Sequence, residues 1–324
     1  MINAAIYGVG RWGQNLVKAV QGKSDNIKFV VGIARTPDKY VGFGAEMGFP
    51  IGGDYDAALN DENVDAVVLA TVHSHHVEQI KLAAGAGKHV FCEKPLALTK
   101  DTAEEAAQVC ASAGVILGVG FGRRFLPSFT DMKQLISDGV IGDILHVESM
   151  HSGPTGYRTP PDIWRATRAE NPAGGMAARG IHNLDLMIDL CGEVSSAYAM
   201  SDRRAIENNM DDTTSMLFEL KNGITGYLST IFATGNIWRI FVMGTKGWLE
   251  MRGEHCLVVS DLDKVTETRD YDEADILKAE LEAFADACSG GDAYPVPVDQ
   301  VVHGIAVLEA VDKSAKLGTK VDVG

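Results

Sequence analysis

The chain has 324 residues, 46% of them hydrophobic and 23% charged, enough for a sizeable core in two domains of about 150 residues each. Its formal charge of −15 argues against nucleic acid or an anionic membrane surface as partner, since both require a basic face. No apolar run reaches spanning length, the first ten residues carry no signal-peptide pattern, and five scattered cysteines without a C-x-x-C pair fit a reducing cytoplasm, the expected location.

Ala4–Tyr7 reads as a strand, Gln14–Val20 as a helix and Phe29–Ile33 as a second strand. Ala66–Ala70 is a continuous apolar strand, followed by a helix at Val77–Ala86, a strand at His89–Cys92, a helix at Lys100–Ala113 and a strand at Val115–Val119. Strands of this composition alternating with helices predict an α/β doubly wound parallel sheet over 1–122. From Arg123 the pattern changes. A helix at Ser128–Ser137 and a strand at Ile144–Met150 precede a long loop rich in proline, glycine, arginine and aromatic residues, a length that in compact domains points to function. A helix at Ile181–Cys191 follows, then strands at Ser196–Asp202, Thr213–Leu220, Gly223–Phe232, Trp238–Gly244 and Gly247–Arg252. Asn222-Gly223 between two of them signals a hairpin. Helices at Ala274–Ser289 and Asp299–Leu317 complete an α+β domain, 123–324, with a mainly antiparallel sheet. The charge is uneven: −3 over 1–122, +1 over 123–182 and −13 over 183–324.

Gly8-Val9-Gly10-Arg11-Trp12-Gly13 directly follows the first strand and opens the first helix. Gly8 permits a tight turn, Gly10 lets backbone approach a pyrophosphate, and Gly13 lets helix and strand pack closely. The phosphate is then received by free N–H groups at a helix N-terminus. After the second strand, Gly32-Ile33-Ala34-Arg35-Thr36-Pro37 lacks the acid that would hold a ribose 2′-hydroxyl. Arg35, aided by Thr36, can instead pair with a 2′-phosphate, which favours NADP(H) over NAD(H).

Glu93-Lys94-Pro95 follows the strand at 89–92. With the glycine motif, Ala84–Lys88, His76, Gly120–Pro127, Ile141-Gly142-Asp143, Trp164-Arg165, and Gly174-Gly175 ahead of Gly180-Ile181-His182-Asn183-Leu184-Asp185, the chain resembles the glucose-fructose oxidoreductase / inositol dehydrogenase (Gfo/Idh/MocA) family along essentially its whole length. The resemblance implies a Rossmann domain plus a domain with a large open sheet that binds substrate and mediates oligomerisation. It also implies hydride transfer between a nicotinamide and a hydroxyl carbon of a sugar, polyol or related cyclic alcohol, in a homo-oligomer (dimer or tetramer). It adds Thr71, His73, His76, Glu93 and Lys94 to Gly8, Gly10, Arg11, Trp12, Gly13, Arg35 and Thr36 as expected cofactor contacts, and allows a cis bond before Pro95.

Residue chemistry points the same way. Oxidising an alcohol needs a base for the hydroxyl proton and a cation near the developing alkoxide. Lys94, at a strand's carboxyl end, and His182, which titrates near neutral pH, are the expected catalytic pair. Asp185, three residues on, either orients the imidazole or forms a salt bridge. Arg123, Tyr157, Trp164, Arg165 and Arg179 are expected around the substrate, with His151, Arg158 and Arg168 nearby in sequence. The run His73-Ser74-His75-His76 lacks a partner set for a metal, and none is expected. One departure stands out: family dehydrogenases commonly carry an aspartate four residues before the histidine, where this chain has Ala178. That gap favours the alternative of a non-catalytic, dinucleotide-bound sensor of the same fold.

Overall fold

Apolar strands interleaved with helices give the first part of the chain a parallel sheet. In the computed structural model, which describes residues 1–324, the order is β1 (Ile2–Tyr7), α1 (Arg11–Val20), β2 (Ile27–Ile33), α2 (Val41–Met47), β3 (Ile51–Gly52), α3 (Tyr55–Leu59), β4 (Ala66–Leu69), α4 (His76–Gly85), β5 (His89–Cys92), α5 (Lys100–Ala113) and β6 (Leu117–Val119). All pairings are parallel, in the order β3-β2-β1-β4-β5-β6. The order reverses between β1 and β4, so the crevice beyond their carboxyl ends is where such sheets take ligands. β4, Ala-Val-Val-Leu, is buried along its whole length. α5 shows how local signals set an element: Thr99 caps its start by accepting from Thr102 N–H, and Gly114, at φ +67°, ends it.

The second part is built from α6 (Pro127–Ser137), β7 (Ile144–Ser152), α7 (Thr155–Arg158), α8 (Ile181–Cys191), β8 (Val194–Asp202), β9 (Thr213–Leu220), β10 (Thr225–Ile231), β11 (Ile237–Gly244), β12 (Gly247–Arg252), β13 (Cys256–Ser260) and β14 (Val265–Asp270). Next come α9 (Ile276–Cys288), α10 (Val298–Leu317) and β15 (Val321–Asp322). The nine strands run β14-β13-β12-β11-β7-β10-β9-β8-β15. Only β7 and β10 pair in parallel; every other neighbour is antiparallel. Val147, Leu228, Ile240, Val242, Leu249 and Met251 form the buried side of this sheet. α8 is tied to β7 by Asn183, whose Nδ2 donates to Ser149 Oγ at 2.6 Å.

By packing, the chain divides into residues 1–122 with 275–302, and residues 123–274 with 303–324. A single cut after residue 122 therefore assigns 275–302 to the wrong neighbours. The reason is aromatic: Phe284 of α9 meets Phe91 of β5 edge-on at 5.5 Å, and Tyr294 donates to Val119 O at 3.0 Å. Gly118 makes room for this return, because a Cβ there would lie 2.9 Å from Phe284.

The expected parallel and antiparallel sheets are both present, and Asn222-Gly223 does turn β9 into β10, with Leu220 N–H donating to Ile224 O. The stretch holding α2, β3 and α3 carried no readable period because each element is short. β14 escaped sequence reading because Val-Thr-Glu-Thr-Arg-Asp is almost wholly exposed at the sheet edge, where no buried face imposes alternation.

Candidate functional site

In the first unit the candidate site is made of backbone at strand ends. Gly8 leaves β1 at φ +100°, and a Cβ on it would sit 2.4 Å from Ala70 O, beyond β4. At Gly13 a Cβ would sit 2.0 Å from Gly8 O. Both glycines are thus required by the fold itself. Gly10 differs: nothing lies within 4 Å of where its Cβ would be. It is the N-cap of α1 and supplies no side-chain cap, so the first N–H groups of the helix face open space. An open helix N-terminus beside a position with no Cβ fits a dinucleotide pyrophosphate.

Around this cradle the other expected residues fall on the same sheet edge. Arg11 and Trp12 are exposed on the first turn of α1. Arg35 and Thr36 stand exposed just past β2, and Arg35 enters no ion pair. Beyond β4, Thr71 donates its hydroxyl to Gln79 Oε1 at 2.6 Å, and His73 is buried with its ring 5.8 Å from that of His76. His76 is 0% exposed and donates Nδ1–H to Pro95 O at 2.9 Å. This bond ties α4 to the turn that carries Lys94. Lys94 is half-buried directly after β5, and its bond to Pro95 is cis. Glu93 is buried, with its carboxylate against Gly120, where a Cβ would lie 3.0 Å from Oε1.

In the second unit the candidate residues are side chains. A π-helical turn, Met176–Gly180, runs directly into α8 and delivers Arg179 and His182 one after the other. Turns of this kind recur at functional sites. Asp185, for which two roles were open, is taken by Arg124: Nε to Oδ2 at 2.8 Å and Nη2 to Oδ1 at 2.7 Å, with both side chains buried. Burial raises this carboxyl to about 6, against the pull of Arg124. It anchors α8 and leaves the imidazole to other groups. Asp189 joins from the next turn, its carboxylate in an ion pair with Arg124 at 3.1 Å and accepting from Lys133 at 2.8 Å.

His151 at the end of β7 donates Nδ1–H to Arg179 O at 3.2 Å, and its ring centre is 6.5 Å from that of His182. A cavity of about 590 Å³ is lined by Arg123, His151, Ser152, Arg179, Asn236, the start of β11 with Trp238, the end of β12 and the turn that follows it. Of the residues expected around a substrate, Arg123 and Arg179 line it. Tyr157, 63% exposed, does not, and Trp164 carries the Arg165 guanidinium 4.0 Å from its ring centre, away from the lining. Arg168 pairs with Asp211. No cluster of three or more His, Cys, Asp or Glu side chains gathers for a metal ion.

Residues 2–121 match the oxidoreductase-family NAD-binding Rossmann domain, and residues 129–250 match the Gfo/Idh/MocA C-terminal domain. The chain belongs to the Gfo/Idh/MocA oxidoreductase family. Among its relatives, D-xylose 1-dehydrogenase (NADP(+)) 2 of Haloferax volcanii is 28% identical over 294 residues, 86% of each chain. 2,7-Anhydro-N-acetylneuraminate hydratase of Escherichia coli is 28% identical over 259 residues, 78% of this chain and 68% of that one. A solved oxidoreductase structure from Desulfitobacterium hafniense superposes with a TM-score of 0.92 at 27% identity, covering 99% of this chain and 97% of that one. Membership makes this an NAD(P)-binding oxidoreductase. No helix is long and apolar enough to cross a membrane.

Sequence reading of this Gfo/Idh/MocA chain missed Ser152, Asn236, Trp238 and Glu254. Trp238 lies opposite His151 in the β7–β11 ladder, a relation created by pairing across 87 residues. No local motif marks it.

Proposed function

We propose that this chain interconverts an alcohol and a carbonyl on a sugar, polyol or related cyclic alcohol, with NADP(H) preferred. The observation that carries the reading is Lys94: a half-buried ammonium at the carboxyl end of β5, on the sheet edge that also holds the Gly10 cradle. The dinucleotide, when bound, supplies the two-electron acceptor or donor. Lys94 donates a hydrogen bond to the reacting oxygen and stabilises negative charge as it develops there. His182 takes up or returns the hydroxyl proton. His76, through Pro95, keeps the Lys94 turn in place, and the Arg124–Asp185 pair keeps α8 in place beneath His182. This division of labour favours turnover over a purely sensory role, even with Ala178 in place of a carboxylate.

Arg35 supports the NADP(H) preference, as an exposed guanidinium without an internal counter-ion past β2, where an acid would select NAD(H). The relatives agree in part, one being named as NADP-dependent. Tyr198, Met200 and Leu217, exposed on β8 and β9 of the large sheet, support burial of that surface in a homo-oligomer.

The test is turnover of a polyol, aldose and cyclic-diol panel with each nicotinamide, followed by absorbance. Activity with at least one alcohol is expected. Lys94→Ala should bind NADPH yet lose about a thousandfold or more in kcat. Cofactor-bound protein that turns over nothing in either direction would favour the sensor.

A further inference from the structure

The cavity of the second unit is lined by four arginines, three of which are neutralised by the protein. Arg123 meets Glu254 at 2.8 Å, and Glu250 receives both Arg239 and Arg252, at 3.6 and 2.7 Å. Arg179 is half-buried and has no carboxylate partner. Its one protein acceptor is the Ser152 carbonyl, 3.4 Å from Nη1, at the far limit of a useful hydrogen bond. The rest of the guanidinium is walled by Phe232, whose ring centre is 5.7 Å away, and by Gly153, where a Cβ would lie 2.5 Å from Nη1. Burial, with repulsion from Arg123 and Arg158, lowers its basicity, but a guanidinium in a protein stays charged. A partly desolvated cation without a counter-ion is unfavourable by itself. On the same lining, Arg123 Nε and Trp238 Nε1 are buried N–H groups with no acceptor.

We propose that the substrate carries a carboxylate and that Arg179, assisted by Arg123 and Trp238, receives it. The proposal rests on the oxidoreductase reading and narrows it, from sugars and polyols in general to sugar acids. A planar carboxylate matches the guanidinium fork through paired charge-assisted hydrogen bonds. It also matches the charge: one uncompensated cation calls for one negative charge, whereas a phosphate monoester brings nearly two. Arg179 is then a specificity-determining residue, separate from the groups that move the proton.

Binding can be read without turnover, since an alcohol and a reduced nicotinamide do not react with each other. The full chain saturated with NADPH is titrated calorimetrically with D-gluconate and D-galactonate, against sorbitol, galactitol and sorbitol 6-phosphate. The aldonates are expected to bind at least about tenfold more tightly than their neutral counterparts. That preference should vanish in Arg179→Gln and return in part in Arg179→Lys, with NADPH affinity and melting temperature showing that each variant is folded. No preference for the acids overturns the proposal, as does a preference that survives Arg179→Gln. Tighter binding of the phosphate ester than of the aldonates overturns it too. Failure of the wild-type chain to bind either NADPH or NADH is a different result and defeats the oxidoreductase reading itself.

Discussion

The two units build their candidate binding regions from different materials. In the first, recognition is a property of backbone: a glycine turn, an open helix N-terminus and the carboxyl ends of β1, β2, β4 and β5. In the second, it is a property of side chains contributed by β7, the turn before α8, and β11. Backbone recognition has to be written locally, since only particular residues permit the required close approach. Side-chain recognition has to be written across the sheet, so that neighbours in space are strangers in sequence. The charge distribution follows the same division. The chain is strongly acidic, yet both units present arginine, exposed and alone at Arg35, half-buried and without a counter-ion at Arg179.

The sharpest way to break the comparison is within one glycine motif. Gly13→Ala places a methyl group 2.0 Å from Gly8 O and should destabilise the first unit by about 3 kcal/mol or more, read as a lowered urea midpoint. Gly10→Ala meets nothing within 4 Å. Its midpoint should stay at the wild-type value while NADPH affinity falls by about a hundredfold or more. Equal stability loss in both variants would show that the cradle is a folding feature and not a binding one.

In the second unit the matching experiment removes a buried charge. Asp185→Ala removes the bidentate carboxylate from buried Arg124, with the Asp189 carboxylate still 3.1 Å away, and should cost about 3 kcal/mol in denaturant unfolding, because a buried cation loses its two best hydrogen bonds and one counter-charge. Asp185→Asn should cost less. A cost below about 1 kcal/mol would mean that α8 is held by its apolar face alone. The smallest expected effect is at the cofactor's rim. Arg35→Ala should lower the NADPH-to-NADH affinity ratio about tenfold, the worth of one charge-assisted contact at an exposed position. A ratio that does not move would leave the preference to other groups on that edge.

Much of the first unit was legible because its determinants are local. Gly8 and Gly13 each have a separate steric reason in the fold, Gly10 opens the helix N-terminus, and Glu93-Lys94-Pro95 follows its strand without an intervening residue. His76 was legible by its motif position, which is local, but its bond to Pro95 O depends on how α4 lies beside the end of β5. Asp185 was legible as an acid near His182 and no more. Arg124 settled its role from 61 residues away.

The sequence by itself determined the doubly wound sheet, the dinucleotide cradle and the family, because periodicity and turn chemistry act over a few residues. Only the tertiary structure decided that residues 275–302 pack with the first unit, since Phe284 finds Phe91 through space. It also decided which arginine is left without a counter-ion. Arg123, Arg165, Arg168 and Arg179 look alike as letters. Glu254, Trp164 and Asp211 engage the first three, and Arg179 is left as the cavity's uncompensated charge because no carboxylate of the fold comes to meet it.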